Sequence, residues 1–317
     1  MEAIPLMLTI RDFPTYLEKF TAHLAVERNL SPKSIKAYSC DLGLLLNWCH
    51  SRSNDIIGES DIQAYFAELI HEQLIKDSSI KRKYVSVKSF FNFMVNKQWI
   101  SHSPIQALGR NFKKSKRIPK TLSTEDVRKL LTSVQTDLQT LKSAYRQKIC
   151  IRNNAILELL FSTGIRIGEL VGIKLRDLDL EKRTLLIFGK GRKERILYLS
   201  SEEVLSKIKM WLDIRDFLEP QCDALFINKY GNTLTIYSIE DIFYKYRNAS
   251  NINNQATPHY LRHTFATQLL DNGADLRSVQ EILGHSSVST TEIYTEVSIQ
   301  RKKDVLSRFN PRNNLIL

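Results

Sequence analysis

The apolar positions of the first third of the chain recur at helical spacing. One stripe repeats at intervals of four, three and four residues, which places its members on a single helix face. This stripe consists of Phe13, Leu17, Phe20 and Leu24. Ser31 followed by Pro32 is typical of a second helix start, because serine caps the first turn and proline is tolerated at the first helical position.

Two further amphipathic helices are predicted, one from about Ser60 and one from about Ser79 to Asn96. The inward residues of the fourth helix are Ile80, Tyr84, Val87, Phe91 and Met94. Its other side carries Lys81, Arg82, Lys83 and Lys88. Four such helices predict a small bundle. The basic side is a candidate phosphate contact, with a solvated charged face as the alternative.

A strongly basic stretch follows the bundle and predicts a linker between two domains. It carries Arg110, Lys113, Lys114, Lys116, Arg117 and Lys120, with no acidic residue among them. Pro119 stiffens its end. These charges repel one another in water and would lie well along a DNA backbone.

The remainder of the chain predicts a mainly α fold with a small antiparallel β-sheet. Ser123 can cap one helix, a second from about Gln147 to Ser162 ends at Gly164, and a third begins near Arg166. Two β-rich runs, residues 184–188 and 195–199, are joined by a glycine-rich basic tip and predict a hairpin. Later segments are helical again.

The composition is that of a globular protein, but the charge is unusual. The 317 residues include 43% hydrophobic and 25% charged residues, and the net charge is +12. The excess favours a polyanionic partner, nucleic acid ahead of an anionic membrane surface; a merely basic protein is the alternative.

The apolar runs and the cysteines favour a cytoplasmic location. No apolar run approaches the length of a membrane span, and the first ten residues do not resemble a signal peptide. The cysteines, Cys40, Cys49, Cys150 and Cys222, are scattered. We therefore expect neither disulfides nor a zinc site.

The segment from Thr257 to His263 is the densest cluster of candidate chemistry. Thr257 and Pro258 start a helix, so His259 and Arg262 lie near its N-terminus, where free amides favour an anion. The alternative is a surface helix with incidental charges. A metal held by His259 and His263 is disfavoured, because no glutamate follows the first histidine.

A second cluster joins a histidine and a tyrosine near the C-terminus. His285 follows Gly284, which is expected to end a helix, and Tyr294 comes nine residues later. A loop histidine is usually a surface residue, and a tyrosine on an amphipathic helix usually belongs to the core.

These segments together closely resemble the tyrosine recombinase (phage integrase) family. The resemblance is carried by HYLRH, by FATQLLDNGADLRSVQEILGHSSVSTTEIYT, by STGIRIGELVGI and by GKGRKER, and it spans roughly residues 10–312. It is closest to Xer-like site-specific recombinases, through the short N-terminal bundle, WISHSPI and the NPR near the C-terminus. STGIRIGELVGI supplies Arg166 as a candidate catalytic residue, and GKGRKER supplies Lys190.

The resemblance implies a catalytic set of six residues and one supporting residue. Its members are Arg166, Lys190, His259, Arg262, His285 and Tyr294, with Glu169 in support. Tyr294 would attack and remain on the 3′ phosphate, so neither ATP nor a metal cofactor is required. The arginines would hold the phosphate oxygens, since planar guanidinium groups fit phosphate.

The other residues of the set have roles in proton transfer and positioning. His259 would be the base, His285 would donate to a phosphate oxygen, and Lys190 would be the acid for the leaving 5′ hydroxyl. Glu169 would hold Arg166 through an ion pair; an ordinary exposed pair is the alternative.

The family also implies domains and partners. Residues 1–109 would be an N-terminal four-helix (SAM-like) core-binding domain, 110–120 the linker, and 121–317 the catalytic domain. The expected partner is a double-stranded DNA recombination site. The DNA-contact candidates are Lys81, Arg82, Lys83, Lys88, Lys113, Lys114, Lys116, Arg117 and Arg192.

The expected assembly is a homo- or hetero-tetramer on two DNA sites, exchanging strands through a Holliday junction. The C-terminal helix around Asp304–Phe309 would dock onto a neighbouring subunit. A DNA translocase or accessory protein is a possible further partner, and no membrane is expected. The implied role is Xer-like resolution of chromosome or plasmid dimers.

Some positions depart from the Xer pattern, and other functions remain open. The segment from Val134 to Ile151 is longer than usual, Asn153 and Asn154 stand where an acidic residue is expected, and Lys88 stands where arginine is common. The alternatives are an integrase or excisionase of a mobile element, a type IB topoisomerase, and a non-catalytic DNA-binding accessory factor.

Overall fold

The chain divides into two compact units, residues 1–116 and 117–317. In this computed structural model the described residues are 8–52, 55–71, 75–106, 120–189, 194–284 and 299–315. The predicted basic linker lies almost wholly outside them, since only Lys120 is described. Each unit has its own hydrophobic core.

Unit 1 contains the predicted four-helix bundle. Its helices are α1 (Phe13–Val26), α2 (Pro32–Ser51), α3 (Glu59–His71) and α4 (Asp77–Asn96). Two short strands, β1 (Leu8–Thr9) and β2 (Ile56–Ile57), pair antiparallel beside them. Aromatic rings dominate the core: Phe20 packs against Phe90 with ring centroids 5.5 Å apart. The predicted helix start is confirmed, since the Ser31 hydroxyl accepts a hydrogen bond from the Ser34 amide.

Unit 2 is mainly helical and includes a three-stranded antiparallel sheet, which confirms the mainly α prediction. Its helices are α5 (Thr124–Thr140), α6 (Ala144–Thr163), α7 (Ile167–Gly172), α8 (Glu202–Arg215), α9 (Ile236–Ala249), α10 (Pro258–Asp271), α11 (Leu276–Leu283) and α12 (Ile299–Phe309). Its strands are β3 (Leu178–Asp179), β4 (Thr184–Phe188) and β5 (Glu194–Tyr198), in the order β3-β4-β5. The predicted hairpin is β4–β5, with Phe188 opposite Glu194.

Helix α6 lies at the centre of unit 2 and packs against α5, α8 and α10. Its second half is mostly apolar and is buried on all sides, which is typical of a central core helix. It ends at Gly164, as predicted, with φ of 61°. A side chain there would collide with the ring of Phe265 on α10, so glycine permits both the left-handed turn and the close approach.

The C-terminal segment is tied to α6 through buried polar contacts. Asn310 donates to the Ser162 carbonyl at 2.8 Å. The Arg312 guanidinium contacts the Glu158 carboxylate at 2.5 and 3.0 Å, and Lys207 from α8 contacts the same carboxylate. Because Glu158 is fully buried, these cations supply the charge that it requires. Helix α12 itself packs against α11 and β5 of this chain.

The four cysteines are free, two of them buried. Among the described helices, none combines the length and apolar character needed to cross a bilayer.

Candidate active site

Arg166 stands at the turn between α6 and α7, where a carboxylate three residues later fixes it. It is the N-cap of α7, and its backbone amide donates to Glu169 Oε2 at 2.9 Å. Its guanidinium contacts Glu169 Oε1 at 2.8 Å and stays partly accessible, with 38% of the side chain exposed. The expected ion pair between these residues is therefore present. One guanidinium edge is held while the group remains open to solvent.

Arg195 also pairs with the Glu169 carboxylate, and the sequence motifs did not identify it as a site residue. It forms two hydrogen bonds with Glu169, at 3.1 and 2.8 Å, and a third with the Ile282 carbonyl. Both side chains are more than 90% buried. Arg195 stands in phase with the buried Leu197 and Leu199, so its position on the inward strand face could have indicated it.

Arg262 lies deeper, on the second turn of α10. Its guanidinium donates to the carbonyl of Gly164, which ends α6, and to that of Leu283, which ends α11, both at 2.6 Å. The residue is 6% exposed. Arg262 thus joins the ends of two helices, whose unpaired carbonyls attract a cation.

The three arginines and Glu169 form one electrostatically coupled group, called here the arginine cluster. Burial, and then the charge of Arg166, lowers the pKa of Arg262 to about 10. Burial alone would raise the pKa of Glu169, but hydrogen bonds from Arg195 and the Arg166 amide hold it below its ordinary value. At neutral pH the cluster carries three positive charges and one negative charge, an arrangement suited to an anion.

His259 lies at the start of α10, where its side chain is exposed. Thr257 is the N-cap as predicted, although its side chain makes no capping hydrogen bond. One turn after His259, burial and then the neighbouring His259 and Arg262 lower the pKa of His263. The lowered pKa of His263 favours its neutral imidazole.

Four candidates from the GKGRKER motif and the C-terminal motif lie outside the described residues: Lys190, Arg192, His285 and Tyr294. Two described residues close to these positions in the sequence, Arg195 and Gly284, belong to the arginine cluster or contact it. Arg195 follows the hairpin tip by two residues. Gly284 approaches Arg195 so closely that an added side-chain carbon would lie 3.0 Å from its Nη1. His285 directly follows Gly284 in the sequence.

The basic side of α4 is only partly as expected. Lys81, Arg82 and Lys88 are exposed, but Lys83 is 6% exposed, and its ammonium contacts Asp41 at 3.5 Å. The expectation that Lys83 lies on the solvent face is wrong, because Asp41 is itself buried and requires a counter-charge. Arg82 also pairs with Asp41.

The other DNA-contact candidates, Lys113, Lys114, Lys116 and Arg117, are outside the described residues. Within the described part of the chain, no three His, Cys, Asp or Glu side chains are grouped so as to hold a metal ion.

Two family models match the chain in the order of its two units. The model of the phage integrase N-terminal SAM-like domain matches residues 17–98. The phage integrase family model matches residues 120–301, and so covers the arginine cluster.

Individual relatives match over nearly the whole chain. A tyrosine recombinase of Agathobacter rectalis is 35% identical, covering 96% of this chain and 99% of that protein. The tyrosine recombinase XerD of Listeria monocytogenes is 36% identical, covering 93% and 98%. Among solved structures, a XerH site-specific recombinase bound to its difH substrate in a pre-cleavage complex matches with a TM-score of 0.67 and 25% identity, covering 86% and 79%.

Proposed function

The chain belongs to the phage integrase family and is a tyrosine-type site-specific recombinase, and from this premise we propose that it cleaves and rejoins double-stranded DNA through a covalent 3′-phosphotyrosine at Tyr294. The observation that carries the proposal is the arginine cluster, in which the partly exposed Arg166 pairs with Glu169 and the buried Arg262 lies within its electrostatic reach. A phosphodiester under attack gains negative charge, and preorganised cations stabilise that charge most in a partly buried site.

Arg166 and Arg262 stabilise the developing negative charge in different ways. Arg166 keeps solvent-facing donors after pairing with Glu169, so it binds a non-bridging phosphate oxygen directly. Arg262 contributes a charge held at depth, where the lower effective dielectric strengthens its field. We include Arg195 as a positioning residue, because it shares the carboxylate that orients Arg166.

Three further groups move protons or donate to the phosphate. His285, which directly follows Gly284 in the sequence, donates a hydrogen bond to a phosphate oxygen. His259 accepts the proton of the attacking phenol, because it is exposed and lies one helical turn before Arg262. Lys190, on the hairpin tip that leads into Arg195, protonates the leaving 5′ hydroxyl. The reaction conserves the phosphodiester energy in the tyrosyl link, which a second 5′ hydroxyl attacks.

The proposed substrate is a pair of DNA sites held by four subunits, with strand exchange through a Holliday junction. Similarity to relatives named XerC and XerD favours resolution of chromosome or plasmid dimers over mobile-element integration. The exposed Lys81 and Lys88 of α4 and the basic residues 110–120 supply the contacts to DNA. A DNA translocase or accessory protein that directs the reaction fits this role.

The proposed subunit contact uses α12. This helix packs on its own α11 and β5, so an exchange would replace that packing with the equivalent surface of a neighbour. Deleting residues 300–317 should abolish cooperative occupation of a two-site DNA. Unchanged cooperativity would contradict the contact.

The test of the function is a supercoiled plasmid that carries two direct copies of a site selected by binding to this chain. We expect two product circles, without ATP and in the presence of a chelator. A plasmid without the site is the control. Relaxation of the control plasmid would instead indicate a topoisomerase, and binding to the sites without any product would indicate an accessory factor.

A further inference from the structure

A cavity in unit 2 lies at the far end of α6 from the arginine cluster. Its volume is about 640 Å³, and it is bounded by the end of α5, the start of α6, the turn at residues 228–229 and one side of α9. Arg152 lies twelve residues before Gly164 on α6, which corresponds to about 18 Å along the helix axis. The cavity is therefore separate from the proposed phosphate site.

Arg152, in the wall of this cavity, is a buried cation without a carboxylate partner among the described residues. Its guanidinium donates to the Ile227 carbonyl at 2.8 Å and to Asn153 Oδ1 at 2.9 and 3.2 Å, and all of these acceptors are neutral. The residue is 6% exposed. Burial lowers the pKa of Arg152 to about 10, so it stays charged at neutral pH.

A buried charge without an opposite charge is costly, and the chain compensates Glu158 and Asp41 with cations. Arg152 differs. Its partner is Asn153, at a position where the family resemblance predicts an acidic residue. The longer segment from Val134 to Ile151 also contributes to the wall. Two of the three departures from the Xer pattern thus meet at this cavity.

The remaining charged side chains of the wall favour an anion. Arg146, Lys229 and Lys245 line it together with Arg152, against Asp137 and Asp241. Lys245 and the Tyr246 hydroxyl already bind Asp137, at 2.6 and 2.9 Å. The first turns of α6 and α9 also contribute to the wall, and helix N-termini attract anions.

We propose that this cavity binds a small anionic ligand, bearing a phosphate or carboxylate group, as the counter-ion of Arg152. The aromatic rings of Tyr145 and Tyr246 in the wall suit a ligand that also carries an apolar or planar part. The proposal does not depend on the recombinase reaction, because it concerns residues outside the arginine cluster.

The experiment measures binding of inorganic phosphate to the full chain by calorimetry and by thermal shift, against chloride at equal ionic strength. Asn153→Asp supplies the missing carboxylate from within the protein. We expect it to weaken phosphate binding by about tenfold or more, the factor that corresponds to one charge-assisted contact. Arg152→Gln should do the same. Acetate in a second arm distinguishes carboxylate from phosphate recognition.

Phosphate bound at the arginine cluster is separated from this site by Arg166→Gln, which should leave the cavity's binding unchanged. Phosphate binding that is unchanged in Asn153→Asp but is lost in Arg166→Gln would overturn the proposal. So would the absence of any phosphate or acetate effect in the parent chain. If neither anion binds and Asn153→Asp weakens duplex binding, the cavity contacts a DNA backbone and the small-ligand proposal is wrong.

Discussion

Replacing Glu169 with glutamine tests whether one carboxylate organises the arginine cluster. The substitution keeps the shape of the side chain and one acceptor oxygen but removes the charge. Arg195, with 8% of its side chain exposed, would then be a buried cation without a full counter-charge. Arg166, with 38% exposed, would be partly compensated by water. Most of the loss should therefore come from Arg195.

The expected cost is about 3 kcal/mol of the free energy of unfolding of unit 2, the low end for breaking a buried pair, because glutamine retains an acceptor. Hydrogen exchange of the α6 amides measures the stability of unit 2 separately from that of unit 1. A loss of about 3 kcal/mol corresponds to roughly hundredfold faster exchange. The rate of covalent complex formation with DNA should also fall, while site affinity changes less, because Arg166 loses its orientation rather than its charge.

The same pair predicts a pH dependence. The folded-state pKa of Glu169 lies below its unfolded value, so its stabilising contribution is present above about pH 4.3 and is lost as the pH falls through the folded pKa. The Glu169→Gln variant should not show that loss of stability at acid pH. Glu202→Gln is the matched control, since Glu202 is exposed and its partner Arg183 is partly exposed, and it should cost at most about 1 kcal/mol. Exchange in Glu169→Gln within about threefold of the parent would refute the reasoning.

Three further predictions address the frame of the site. Gly164→Ala should destabilise unit 2 by at least about 2 kcal/mol, because φ is positive and an added side chain has no room. Gly43→Ala in α2, where nothing lies within 4 Å of the added carbon, should instead stabilise unit 1 by up to about 1 kcal/mol. Equal changes in hydrogen exchange at the α6 amides of Gly164→Ala and the α2 amides of Gly43→Ala would contradict this. Arg312→Met should cost about 3 kcal/mol by hydrogen exchange, since Glu158 loses a partner; an unchanged stability would show that the remaining cations suffice. Arg262→Gln should slow covalent complex formation at least about hundredfold in a gel assay while DNA affinity changes less, and an equal loss of both would assign it to binding alone.

The elements that the sequence predicted well are those set by local patterns. The stripes of α1 and α4 repeat at helical spacing, and Ser31, Ser123 and Gly164 mark helix ends through their own backbone or side-chain chemistry. Helix starts were less accurate. Helix α6 begins at Ala144 rather than near Gln147, because Ser143 caps it and its exposed first turn adds nothing to the apolar pattern.

The features that the sequence missed depend on residues far apart in the chain. Lys83 belongs to a run of basic residues, and only Asp41, forty-two positions earlier, makes it a buried partner. Arg195 looks like part of a basic hairpin tip until the fold brings Glu169 and Gly284 against it. The two-residue strand β3 is too short for an alternating pattern. Tertiary contacts decide each of these cases.

The central claim is that Tyr294 is the nucleophile. Mapping the covalent link between protein and DNA tests it most directly. The parent chain and Tyr294→Phe are incubated with a nicked duplex that carries a selected site, so that cleavage traps the protein on the DNA. The trapped peptide is then identified by mass spectrometry. We predict a 3′-linked nucleotide on Tyr294 in the parent chain and no covalent product with Tyr294→Phe. A covalent product with Tyr294→Phe, or a link to any other residue in the parent chain, would contradict the account.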